Sequence, residues 1–224
     1  MKQVYLIPAP DMDERAIESM ILDGVEFVRV NLPQLTHESN LNDVTDQLAK
    51  QIANKNPLIL GFCYGGVLAI ELAKKISAEK IIVVSGVKSS QDIAPSRKIM
   101  AYAFYFMPDI FLRGIGMQLT FWINTVLRLD VKIPRIWLKS GQNRFIIRHA
   151  LRFDCQGVTC EIIRVHGSHD KVVPLSSTGA DIVIEDAGHF MFVHRRNDVL
   201  KAIAEAIGLA VRLKQKRPGI SSWP

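Results

Sequence analysis

The stretch PLILGFCYGGVLAIELAKK, residues 57–75, constrains this chain more than any other. Leu58, Ile59 and Leu60 form a short apolar run of the kind found in strands covered on both faces. Gly65 to Ile76 then reads as a helix. Between the two stands Cys63, with Gly61 and Gly65 two positions to either side. A residue at the tip of so sharp a strand-to-helix turn sits in strained backbone, and its neighbours two residues away must lack side chains for strand and helix to approach. The thiol then projects at a helix N-terminus, where the positive end of the helix dipole favours a thiolate. A glycine-containing junction that simply buries a small cysteine would be spelled the same way, so the remainder of the chain has to decide.

That remainder repeats one theme. Apolar runs rich in β-branched residues recur as QVYLIPA, EFVRVNL, PLILGF, KIIVVSG, EIIRVHG and ADIVIED, with helical patterns between them. Leu41, Val44, Leu48 and Ile52 fall at helical spacing with polar residues elsewhere, which predicts an amphipathic crossover helix. A last helix is expected from about Asp198 to Lys214, carrying Val199, Ile203, Ile207 and Val211. Strands alternating with helices point to an α/β fold with a mostly parallel sheet and flanking helices. Residues 96–157 break the rhythm with aromatics and methionines, so they are expected to form a small helical cap inserted into a core of residues 1–95 and 158–212. Residues 213–224 form a basic tail.

Composition narrows the function classes. A chain of 224 residues suits one packed domain, and the net charge of +6 is scattered except in the tail RLKQKRPG. No nucleic-acid motif accompanies that charge, so no nucleic-acid partner is expected. The apolar region from Ile99 to Leu127 is interrupted by Pro108, Asp109 and Arg113 into pieces shorter than the roughly 18 residues a spanning helix needs. The opening MKQVYLIPAP lacks the apolar core of a signal peptide, and cytoplasmic residence is the expectation. Cys63, Cys155 and Cys160 have neither disulfide-framework nor zinc spacing, so reduced thiols are expected.

Two later segments supply an acid and a histidine. IIRVHGSHDKVVP reads as a strand followed by a loop that carries Asp170. IVIEDAGHFMF reads as another strand followed by His189. Nucleophile, acid and histidine then occur in that order, each after a predicted strand. Asp186 is a competing partner for His189, and Asp170 is preferred because its strand brings it to the same sheet edge. His166 and His169 flank Asp170; histidines at such places more often hold a loop than react. A metal site from His166, His169, Asp170 and His189 lacks typical ligand spacing, and no metal or organic cofactor is expected.

On the pieces YLIPAPDMDER, LILGFCYGGVLAIELAK, VHGSHDKVVP and DAGHFMF, the chain resembles a small α/β-hydrolase, over roughly residues 4–95 and 158–210. The resemblance implies Cys63 as nucleophile, Asp170 as the acid that orients the imidazole, and His189 as general base and acid. Cysteine stands where serine is usual, as it does in the elbows of dienelactone hydrolases and polyhydroxyalkanoate synthases. The family's oxyanion hole implies one N–H from Tyr64 and a second from the loop after an early strand, at Pro10. Proline has no N–H, so one donor is missing unless an amide of Asp11 or Met12 swings into place, and the Asp11 carboxylate would repel an oxyanion.

The expected activity is hydrolysis of a small ester, thioester or lactone, with Phe62, Tyr64, Met107, Trp122 and Phe190 as candidate walls of an acyl pocket. The alternative is a ligand-binding or interaction protein on an impaired hydrolase scaffold, favoured by the joint change at Cys63 and Pro10. A thiol redox sensor is a third reading, without an obvious resolving cysteine.

Overall fold

The structure, a computed structural model, describes residues 1–10, 12, 14–106, 140–175 and 179–209. Among the described residues six strands form one parallel sheet: β1 (Lys2–Ile7), β2 (Val25–Arg29), β3 (Leu58–Phe62), β4 (Lys80–Val84), β5 (Glu161–Gly167) and β6 (Ile182–Ile184). Their order is β2-β1-β3-β4-β5-β6. All six apolar runs of the sequence are therefore strands. Order reverses between β1 and β3, and in parallel sheets such a switch point opens a crevice at the carboxyl ends of the strands. Cys63 follows β3 at that crevice.

Period-two alternation sorts the strand side chains into two cores. Val4, Leu6, Leu58, Leu60, Phe62, Ile82 and Val84 face one side, where Ile17 of α1 (Glu14–Glu18) and Val199, Leu200 and Ile203 pack on them. Tyr5, Ile7, Ile59, Ile81 and Val83 face the other. There they meet Val44 and Leu48 of α2 (Leu41–Ala49), most of α3 (Tyr64–Ala73), and Phe145. Helix α2 starts where the Asn40 side chain accepts the Asn42 N–H at 2.8 Å, a cap worth about 1 kcal/mol. Helix α3 is apolar all round because it is wrapped all round; of its residues only Glu71 escapes burial.

Helix α4 (Pro95–Phe106), all but its first residue, and helix α5 (Ser140–Ala150) fall within the expected insertion. The short helix α6 (Met191–His194) leads into α7 (Arg196–Ala206). The expectation that this last helix continues to Lys214 is corrected at Gly208. Its φ of +68° ends the helix, with the Leu209 N–H donating to Ala204 O at 2.8 Å and the Gly208 N–H to Glu205 O at 3.0 Å, a Schellman closure that glycine permits. Val211 lies outside the described residues. Lys2 and Lys80 each donate from Nζ at 2.8 Å to the Ile207 and Ala206 carbonyls, which secures the negative end of α7 to the sheet. Among the described residues no helix is long and apolar enough to cross a membrane.

Candidate active site

The elbow between β3 and α3 has the strained geometry its letters demand. Cys63 sits at φ 50°, ψ −116°, a region non-glycine residues rarely occupy. Its N–H is held by the Val84 carbonyl at 2.8 Å, and its own carbonyl accepts the Gly66 N–H at 3.0 Å. A Cβ on Gly61 would come within 2.5 Å of the Gly65 carbonyl oxygen, and one on Gly65 would collide with the Ile7 and Pro8 carbonyls. The sequence reasoning passed over Gly86, where a Cβ would stand 2.5 Å from Val83 Cγ1 and 3.0 Å from Cys63 O. The Ser-Gly pair that ends KIIVVSG was the available signal.

His189 comes to this elbow from the loop after β6. Its Nε2 lies 3.3 Å from Cys63 Sγ, and its Nδ1 lies 2.9 Å from Asp170 Oδ2. Asp170 comes from the loop after β5. Its other oxygen, Oδ1, accepts the Val172 and Val173 N–H groups, each at 2.8 Å. The structure thus brings Cys63, Asp170 and His189 together at one sheet edge. Asp186 is not part of this group: it is exposed and stands 3.5 Å from the exposed His169. His166 is fully buried and donates from Nε2 to the Val173 carbonyl at 2.7 Å, the loop-holding role foreseen for it; the same nitrogen also lies 3.2 Å from Asp170 Oδ2. Among the described residues no three His, Cys, Asp or Glu side chains converge as metal ligands.

Burial taken alone would raise the Asp170 pKa. Hydrogen bonds from His166 and His189, the His189 charge and the Val173 amide outweigh it, and the carboxyl ends well below the usual carboxylate range. Burial pulls His189 the other way from its neighbours: attraction to Cys63 and the hydrogen bonds to Asp170 and Cys63 push it up to about 10. These neighbours favour the protonated imidazole between sulfur and carboxylate.

Gly65 lets the β1 loop lie directly on the elbow, through Ile7 O and Pro8 O. Pro10 has no N–H, and the Met12 N–H is already given to Ala9 O at 3.0 Å. Asp11 lies outside the described residues. The Tyr64 amide, in the first turn of α3, is among those that intrahelical bonding leaves over.

The candidate pocket walls separate. The Phe62 ring is fully buried, 5.3 Å from the Phe192 ring, and offers no surface to a substrate. Its place in the strand alternation sends it into the core beneath α7. Tyr64 is also buried, its ring edge-on to Phe145, and burial followed by the charge of Glu71 raises its phenol pKa. Phe190 is partly exposed and stands edge-on to His189 with ring centroids 5.1 Å apart. Met107 and Trp122 lie outside the described residues. A cavity of about 460 Å³ between α1 and β2, lined by Ile17, Met20 and Phe27 among others, includes none of Cys63, Asp170 or His189.

No protein-family model matches the chain, and no curated protein matches it at a significant level. Solved structures do. A bromoperoxidase from Bacillus anthracis superposes with a TM-score of 0.66 at 13% identity, covering 92% of each chain. An α/β hydrolase from a Medee basin deep-sea metagenome library gives 0.64 at 12% identity over 97% of this chain and 92% of its own. An esterase from Exiguobacterium antarcticum gives 0.60 at 14% identity over 93% and 92%. Likeness at such identities speaks to architecture, and with the sheet order and elbow described above it establishes that this chain has the α/β-hydrolase fold.

Proposed function

We propose that this protein is an acyl hydrolase that cleaves small activated carbonyl compounds, namely esters, thioesters or lactones, through Cys63. The observation that carries this reading is the continuous contact from Sγ to His189 at 3.3 Å and on to buried Asp170 at 2.9 Å. An esterase among the proteins of the same fold supports it.

In this reading His189 Nε2 takes the thiol proton, and Sγ attacks as thiolate. The carbonyl electrons move onto oxygen, to which the Tyr64 N–H donates a hydrogen bond. As the tetrahedral species collapses, the bond to the leaving oxygen or sulfur breaks and His189 Nε2 gives its proton to that atom. The neutral imidazole then takes a proton from water, whose oxygen attacks the acyl-cysteine. The second collapse releases the acid and restores Sγ. Asp170 keeps Nδ1–H directed at itself throughout. Residues 96–157 form the cap in this reading. In its support, the Arg97 guanidinium of α4 donates to Lys171 O, beside the acid, at 2.5 Å. The three free cysteines fit a reducing, cytoplasmic setting.

One oxyanion donor in place of two lowers transition-state stabilisation by about 3 kcal/mol. Amides and plain alkyl esters should therefore be poor substrates, and thioesters, aryl esters and strained lactones better ones. Intact-mass analysis after brief exposure to p-nitrophenyl butyrate and to a short acyl thioester tests this. An adduct on Cys63 that forms and clears, absent from Cys63→Ala and slowed in His189→Ala, is expected. Acylation no faster than that of a free thiol, whatever stands at 189, sinks the reading.

A ligand-binding role is the second reading, and the state of the β1 loop favours it: Pro10 lacks a donor and the Met12 N–H is spent. Ligand binding retained in Cys63→Ala, with no turnover by the wild type, would select it.

A further inference from the structure

We propose that His166 is the positioning residue for the acid: its Nε2–H, shared between Val173 O and Asp170 Oδ2, sets the carboxylate plane so that Oδ2 faces His189. The inference rests on reading Cys63, His189 and Asp170 as the reactive array.

The tautomer follows from a neighbour. A backbone carbonyl can only accept, so His166 Nε2, 2.7 Å from Val173 O, carries hydrogen. That same N–H lies 3.2 Å from Asp170 Oδ2. Asp170 Oδ2 therefore stands between two imidazoles, with His189 Nδ1 on its other side at 2.9 Å, while Oδ1 is occupied by two backbone amides. The His166 and Asp170 side chains are both 0% exposed.

The backbone around this carboxylate is already clamped. His166 is in register with Val183 of β6. A Cβ on the following Gly167 would collide with Ala187 O, so the histidine loop lies directly on the end of β5. The Ser168 N–H donates to Ile184 O at 3.0 Å, and the His169 N–H to Ala187 O at 2.9 Å. With both loops pinned, the Asp170 carboxylate plane is set by the two amides on Oδ1 and, on the Oδ2 side, by the His166 Nε2–H. His166 does so from a strand rather than from a loop, the rigid kind of support that a reactive geometry needs. A histidine that only satisfied Val173 would require no second acceptor.

The test uses the rate at which iodoacetamide alkylates Cys63, which reads the thiolate held by His189 without any turnover. In His166→Leu the donor is gone and the rate should fall about tenfold, as loss of a supporting hydrogen bond or a small misplacement does elsewhere. His166→Gln places an amide nitrogen at the reach of Nε2 and should restore the rate to near wild type. His166→Asn ends short of that point and should behave like the leucine variant. Should His166→Leu fail to fold, the contrast between Gln and Asn still decides. Equal rates in the Gln and Asn variants, or an unchanged rate in a folded His166→Leu, overturn the inference. Wild-type alkylation no faster than in His189→Ala overturns it together with the array beneath it. If no substrate acylates Cys63 but the alkylation pattern holds, hydrolysis fails and the positioning role stands.

Discussion

Two loops at the carboxyl edge of the sheet meet at Gly65, and they are not equally equipped. The β3–α3 elbow has a strained tip at Cys63, close-approach glycines, and a histidine 3.3 Å from sulfur. The β1 loop that lies against it has a proline at the donor position and spends its Met12 N–H on its own turn. In the proposed reaction the attacking half of the site would be complete and the half that receives the developing charge reduced. The difference teaches where selectivity would reside. A site that attacks well but stabilises an oxyanion weakly depends on carbonyls that are already activated.

The contrast can be broken most severely on the attacking side. Asp170→Asn should slow acylation of Cys63 by about 10⁴-fold, because the amide favours the wrong imidazole tautomer; stopped-flow release of p-nitrophenol measures it. Gly65→Ala drives a Cβ into two backbone carbonyls that cannot yield and should cost about 3 kcal/mol or more of stability, read from urea denaturation. On the receiving side, Pro10→Gly restores an N–H and should speed oxygen-ester cleavage by up to about 10²-fold, with a smaller gain on thioesters. No gain on either class would show that this loop does not face the oxyanion, and the comparison would collapse.

A pH experiment sharpens the same contrast by a smaller amount. His189 binds its proton more tightly folded than at its ordinary pKa of 6.5, so its stabilising contribution is complete below that value. It is lost as pH rises toward about 10. Asp170 runs the opposite way: its contribution is present above 3.8 and is lost as pH falls through its depressed folded pKa. Cys63→Ala removes the largest influence that raises His189. Its melting temperature should therefore decline less than that of the wild type between neutral and alkaline pH. The smallest effect lies far from the site: Lys80→Met should cost about 0.5–1 kcal/mol through its lost contact with the end of α7, measurable by urea denaturation.

Local patterns made much of this molecule legible. Six apolar runs and the glycines around Cys63 were enough for a parallel sheet and an elbow, because strand burial and tight-turn sterics act over a few residues. Local pattern also misled at the end of α7. Apolar residues keep helical spacing through Val211, yet Gly208 takes up a positive φ and closes the helix first. Phe62 failed for a related reason. Standing next to Cys63 in sequence places it near the site, but strand alternation turns its ring to the opposite core.

By itself the sequence determined the strand-helix alternation, the strained tip at Cys63 and the chain order of nucleophile, acid and histidine. All of these follow from short-range sterics and burial. Only the tertiary structure decided that His189 reaches a sulfur 126 residues away in the chain and that His166 shares the carboxylate oxygen of Asp170 that faces His189. Those choices depend on how strand order places separate loops at one edge. The contacts that matter there, 2.9 Å and 3.3 Å long, are set by packing across the whole sheet rather than by any neighbour in sequence.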